Sequence, residues 1–131
     1  MMNGKIPKQK MQATEVIALR KCVECLHFAN ADARFASARN PTRGKSYVAA
    51  RALLDYLGGK KHGYRLMRAV DQHNVPHYWV ANSNDAILDP TKAQYEVMGE
   101  FPPYTTGISV SYRPKNKHRT LLAAMRRLKV A

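Results

Sequence analysis

The chain has 131 residues, 22 Lys and Arg against 9 Asp and Glu, and a formal net charge of +13. That length suits one domain, since domains cluster at roughly 100–150 residues, and a 45% hydrophobic content is enough for a core, which argues against whole-chain disorder. No window approaches the roughly 20 consecutive apolar residues of a helical membrane span, no apolar stretch near the N-terminus reads as a secretory signal, and two cysteines cannot build a disulfide scaffold.

Residues 1–10 read as a flexible basic arm, and 11–131 as a single domain. From Gln12 to Ala29 the pattern is helical: Val16, Leu19, Val23 and Leu26 recur at three- and four-residue steps, Ile17 widens the stripe, and Thr14 is a candidate N-cap. A short helical piece is expected over Asp32–Ala38. Asn40-Pro41-Thr42-Arg43-Gly44 then breaks it, because proline disfavours helix at the preceding residue and glycine invites a turn. Ser46–Leu57 is the next helix, with Ser46, Ala49, Ala50, Leu53 and Leu57 along one side and Gly58-Gly59 as its stop.

Three strands follow, near Tyr64–Asp71, Pro76–Ala81 and Ala86–Pro90, separated by the turn-rich Gln72-His73-Asn74 and Asn82-Ser83-Asn84-Asp85. Gly107–Arg113 alternates Ile108, Val110 and Tyr112 with serines and reads as a strand with one wet face. Asn116 is a candidate cap for a last helix, whose stripe is Leu121, Leu122, Met125 and Leu128. Helices, then a small antiparallel sheet, then a helix, predict an α+β fold.

The charge is unevenly laid out. Residues 33–54 contain Arg34, Arg39, Arg43, Lys45 and Arg51 and no acid, and no acid follows Glu100. Such a field attracts phosphate, acidic partners or anionic surfaces. Nucleic acid or an acidic host protein is therefore a candidate partner, although no helix-turn-helix, zinc-finger or RNA-recognition motif accompanies the charge.

Cys22 and Cys25 have CxxC spacing but sit mid-helix with no second pair, and the five histidines are not at metal spacing; no metal or organic cofactor is implied. The better constellation is Ser46, His77 and Asp89. Ser46 opens a helix, where free N–H groups and a positive partial charge can stabilise an oxyanion. His77 and Asp89 lie on successive strands, and an acid behind a histidine behind a nucleophile is triad logic. If His77 faces Asp89 directly, Ala81 pairs with Asp85, and the loop is Asn82-Ser83-Asn84 with a left-handed Asn84. Trp79 and Tyr78 read first as sheet packing, and Gln94 either orients the site through its amide or serves as a turn or sheet hydrogen-bonder. Asn40 and Arg43 are open to a substrate carboxylate or phosphate.

The words Gly44-Lys45-Ser46-Tyr47-Val48-Ala49-Ala50, Leu57-Gly58-Gly59, His77-Tyr78-Trp79-Val80, Ile87-Leu88-Asp89-Pro90-Thr91 and Gln94-Tyr95 resemble a group of small phage and bacterial proteins. These carry Cys, His and Asp in the order of papain-like and transglutaminase-like thiol enzymes. The resemblance covers about residues 40–95. It implies a helix delivering the nucleophile to a sheet that holds His77 as general base and Asp89 as its orienting acid. Asn40, Arg43, Tyr47, Trp79 and Gln94 would then lie around an acyl or peptide-like substrate. It also implies acyl hydrolysis or transfer through a covalent intermediate, and a cytoplasmic setting, that of the bacterial host if the chain is phage-encoded. The chain departs from the pattern where it has Ser46 in place of cysteine. Three readings of that serine stay open: an engineered Cys→Ser change, a natural member that only binds, or a serine nucleophile working with His77. A Ser46→Cys change is expected to give a thiol that His77 activates.

Overall fold

A computed structural model describes residues 11–113 and 116–129; the basic arm expected at residues 1–10 lies outside them. Helix α1 spans Ala13–Glu24 and ends in a short 3-10 turn, Leu26–Phe28. Its cap is Gln12, not Thr14: Gln12 N–H donates to Glu15 Oε1 at 2.8 Å. The face it buries is only partly the predicted stripe: Leu26 is buried and Leu19 packs against the core, but the rest of the stripe is not. Val16, Ile17 and Val23 are exposed, whereas Ala18 and Cys22 are fully buried and Glu15 nearly so. Small residues let α1 approach α2 closely, and the Cys22 thiol donates to the Ala49 carbonyl at 3.5 Å. Glu15 tolerates burial because Tyr64 Oη donates to it at 2.6 Å and Asn82 Nδ2 at 3.0 Å. Burial works to raise the Glu15 carboxyl, but these bonds and the Gln12 N–H outweigh it and leave it below the usual range.

No helix forms over Asp32–Ala38. That segment is turns and an isolated bridge between Ser37 and Asn40. Asp32 instead folds back on Arg34, accepting from its backbone N–H and its guanidinium, a local bond that competes with helix. Helix α2, Ser46–Tyr56, matches its prediction closely, and Gly58 at φ 97° supplies the left-handed stop.

The sheet has the order β3-β2-β1-β4, every pair antiparallel, with β1 Arg65–Val70, β2 Pro76–Ala81, β3 Ile87–Leu88 and β4 Ile108–Val110. Its two hairpins use one device. Asp71 Oδ1 accepts from the N–H groups of His73 and Val75, and Asn82 Oδ1 from those of Asn84 and Ala86. Each three-residue loop ends on a left-handed residue, Asn74 at φ 62° and Asp85 at φ 61°. The second loop is therefore Ser83-Asn84-Asp85, one residue later than predicted, because Asn82 serves as the turn acceptor. Ala81 pairs with Ile87 and Val80 with Leu88. The loop keeps its odd length, so His77 and Asp89 still share a face.

Leu66, Val80 and Leu88 on one face join Ala49, Leu53, Leu54, Leu121 and Met125 in the main apolar cluster under α1, α2 and α4 (Arg119–Arg127). Leu121, Leu122 and Met125 are buried as the stripe required, but His118, not Asn116, is the N-cap. The opposite face is covered by α3 (Ala93–Met98), a helix the sequence pattern did not announce, and by the segment through Tyr104. The architecture is α+β with a small antiparallel sheet. Among the described residues, no helix is long and apolar enough to cross a membrane.

Candidate functional site

Strand alternation decides what His77 can reach. Tyr78 and Val80 face α2; the Tyr78 ring meets Tyr47 edge-on, with centroids 4.9 Å apart. His77 and Trp79 therefore point to the other face, among Tyr95 and Tyr104. His77 is fully buried, and its Nε2 lies 2.7 Å from Asp89 Oδ2. Asp89 also accepts from Tyr104 Oη at 2.7 Å and, through Oδ1, from Thr91 N–H at 3.1 Å. Burial and the neighbouring Asp89 charge push the Tyr104 hydroxyl well up, so it stays a donor.

The network fixes the imidazole tautomer. Gln94 Oε1 accepts from Arg43 Nη1 at 3.1 Å, which leaves its Nε2 to donate to Thr91 Oγ1 at 3.0 Å and towards His77 Nδ1 at 3.4 Å. Nδ1 is then the acceptor and Nε2–H the donor to Asp89. The lone pair that would take a nucleophile's proton faces Gln94.

The chain of bonds continues outward. Arg43 Nη1 donates to Asp71 Oδ2 at 2.8 Å, Tyr95 Oη donates to the same oxygen at 2.9 Å, and Asn40 Nδ2 donates to the Gln94 carbonyl at 2.9 Å. Burial works to raise the Asp71 carboxyl. The hydrogen bonds from the Val75 N–H, Arg43, Tyr95 and the His73 N–H outweigh it and hold the carboxyl below its usual range. Asn40, Arg43 and Gln94 are all buried internal ties and are not free to greet a substrate. Trp79 is buried too, against His77 and Tyr104, and Gly107 lies so close that a Cβ there would fall 2.5 Å from its indole. Of the five residues expected around a substrate, Tyr47 alone lines the groove described next.

Ser46 is the first residue of α2, with Lys45 as N-cap. Its Oγ accepts from the Tyr78 N–H at 3.2 Å, on the edge of β2 just past the end of β3, and is 6% exposed. Among the described residues, no hydrogen bond joins Ser46 to His77. Ser46 instead sits in the wall of an open groove of about 880 Å³, shared with Phe35, Tyr47, Tyr78, Arg34 and Lys117. The sequence motif thus converges on one strand, with His77 and Asp89 on one side and Ser46 on the other.

Tyr104 and Asp71 belong to the network and were not singled out from the sequence, and Tyr95 entered there only as part of a motif, with no role assigned. Asp71 carried a signal, as the acid before a turn; Tyr104, fifteen positions past Asp89, carried none. Cys22 and Cys25 are free and buried. Burial pushes the Cys22 thiol well up, with the nearby Cys25 and the Asp89 charge adding to the effect. Among the described residues, no group of three or more His, Cys, Asp or Glu side chains is placed to hold a metal ion. No family model, curated protein or solved structure matches the chain.

Proposed function

We propose that the chain is a ligand-binding protein on the layout of a papain-like or transglutaminase-like acyl enzyme. It binds in the groove beside Ser46 without turning over. His77 carries this reading: its ring is fully buried and both nitrogens are engaged, Nε2 by Asp89 and Nδ1 by Gln94, so Ser46 lacks a base. A serine hydroxyl without such a base is a weak nucleophile near neutral pH. His77 and Asp89 then act as a brace between β2, β3 and α3. The groove offers aromatic walls from Phe35, Tyr47 and Tyr78 and the Lys117 cation, while Arg34 is already paired with Asp32 in the same wall. Together with the positive end of α2, these features suit an extended peptide-like segment bearing carboxylates, such as an acidic stretch of a partner protein.

Thiol labelling tests the proposal. In Ser46→Cys the new thiol labels ahead of Cys22 and Cys25, because it sits at a helix N-terminus in the wall of an open groove, whereas burial pushes both of their thiols up. Adding His77→Gln leaves that rate unchanged within about twofold, since the ring does not serve position 46. Site-resolved mass spectrometry reads the rates, with circular dichroism confirming the fold of each variant. A rate that falls tenfold or more without His77 would restore the thiol-enzyme reading.

The net charge of +13 favours a second reading, binding to nucleic acid. Affinity for nonspecific duplex DNA that falls steeply with salt would support it; no binding at low salt would remove it.

A further inference from the structure

A second cavity, of about 390 Å³, opens between α2 and the start of α4 and shares no lining residue with the Ser46 groove. Arg51 of α2 lies in its wall and is 2% exposed. One terminal nitrogen donates to Tyr47 Oη at 3.1 Å and to the Arg113 carbonyl at 2.9 Å; the other lies 3.9 Å from the Asp55 carboxylate. The guanidinium carbon sits 4.5 Å from the centre of the Tyr112 ring. The Arg51 Nε has no hydrogen-bond partner. His118, at the cap of α4, is also in the wall and is 5% exposed. Its Nε2 lies 2.5 Å from Asp55 Oδ2, and its Nδ1 has no partner.

Among the described residues, these are the two buried side-chain nitrogens or oxygens without a partner, and both belong to residues lining this one cavity. Buried polar groups are normally paired, so two orphans in one place call for a common cause. Their chemistry narrows it. Arg51 Nε–H can only donate. His118 commits Nε2–H to Asp55, so as imidazolium its Nδ1–H is a second donor. Arg119 and Arg126 complete the walls, so three arginines and a histidine line the cavity with one carboxylate, that of Asp55; Tyr112 is the remaining titratable side chain there. The positive end of α4 adds to the same field.

We infer that this cavity binds a phosphate-class oxyanion, held by Arg51, His118, Arg119 and Arg126. Several converging donors suit a tetrahedral anion with many acceptor oxygens, and guanidinium suits phosphate better than ammonium does. The site is independent of the groove beside Ser46, and neither proposal needs the other.

The test uses the full chain with inorganic phosphate and with sulfate, each against sodium chloride at matched ionic strength. Calorimetry is expected to show saturable binding. Ring NMR is expected to show a shift of the His118 resonances as the anion is added. The exposed pair change Arg119→Ala/Arg126→Ala should weaken binding at least about tenfold, the scale of losing charge-assisted bonds, without lowering the melting temperature of the unliganded protein. A nonspecific single-stranded oligonucleotide that displaces phosphate would identify a nucleic-acid backbone as the source; one that does not would point to a small phosphorylated compound. No saturable binding in the millimolar range would overturn the proposal, as would binding that survives the double change.

Discussion

On the helix side of the sheet, Leu66, Val80 and Leu88 share one apolar cluster with Ala49, Leu53 and Met125. On the other side, equally shut off from water, His77, Asp89, Gln94, Tyr95 and Thr91 share one hydrogen-bonded network. The first face is held by a force that scales with area and has no direction. The second is held by bonds in which every donor has an assigned acceptor, so removing one group strands its neighbours. A fold can repack the first face, whereas the second specifies one arrangement.

Breaking the polar face is expected to have the largest effect. Asp71→Ala leaves the Arg43 guanidinium, whose side chain is 9% exposed, without its carboxylate. Removing one partner of a buried ion pair costs about 3–5 kcal/mol, measured here by urea unfolding. On the apolar face, Leu66→Ala should cost about 2–5 kcal/mol, set by how far α2 and α4 settle into the space.

Shape-preserving changes sharpen the contrast. Leu66→Met should cost less than about 1.5 kcal/mol, while Asp71→Asn, nearly the same shape, should cost about 1.5–3 kcal/mol because a charge-assisted bond is lost. Equal costs for these two would mean that the polar face is as adaptable as the apolar one.

The smallest effect is in pH. Because the folded Asp71 carboxyl titrates below its ordinary value, its stabilisation is complete above the unfolded value near 4. It is lost as pH falls through the lower folded value. Unfolding curves of wild type and Asp71→Asn should therefore converge as the solution is acidified from neutral. Glu15, lowered in the same direction, leaves some acid sensitivity in both proteins.

Legibility followed the same division. Helix α2 and strand β2 could be read to within a residue, since apolar periodicity and glycine stops are local signals. The shared face of His77 and Asp89 was also legible, because strand parity survives a one-residue error in the loop. Helix α1 was misread because its buried face depends on distant groups: Glu15 is acceptable inside only with Tyr64 and Asn82 beside it, 49 and 67 positions away. The six-residue α3 is too short for its pattern to repeat. Arg43 and Gln94 were noticed as polar residues near the motif. That Arg43 bonds to both Gln94 and Asp71, inside the protein, is a property of tertiary placement that spacing does not encode.

Cys22 gives the helical layer a built-in clock. Its thiol is sealed between α1 and α2 and donates to the Ala49 carbonyl, so a reagent meets it only during excursions in which α1 lifts away. Its modification rate, followed as denaturant is added, separates local fluctuation from whole-domain opening: the first is insensitive to denaturant and the second is steeply dependent on it. Cys25, 4% exposed at the C-terminal end of the same helix, records fraying of that end. The two sulfurs, three residues apart, thus report how far up the helix an excursion travels before the domain comes apart.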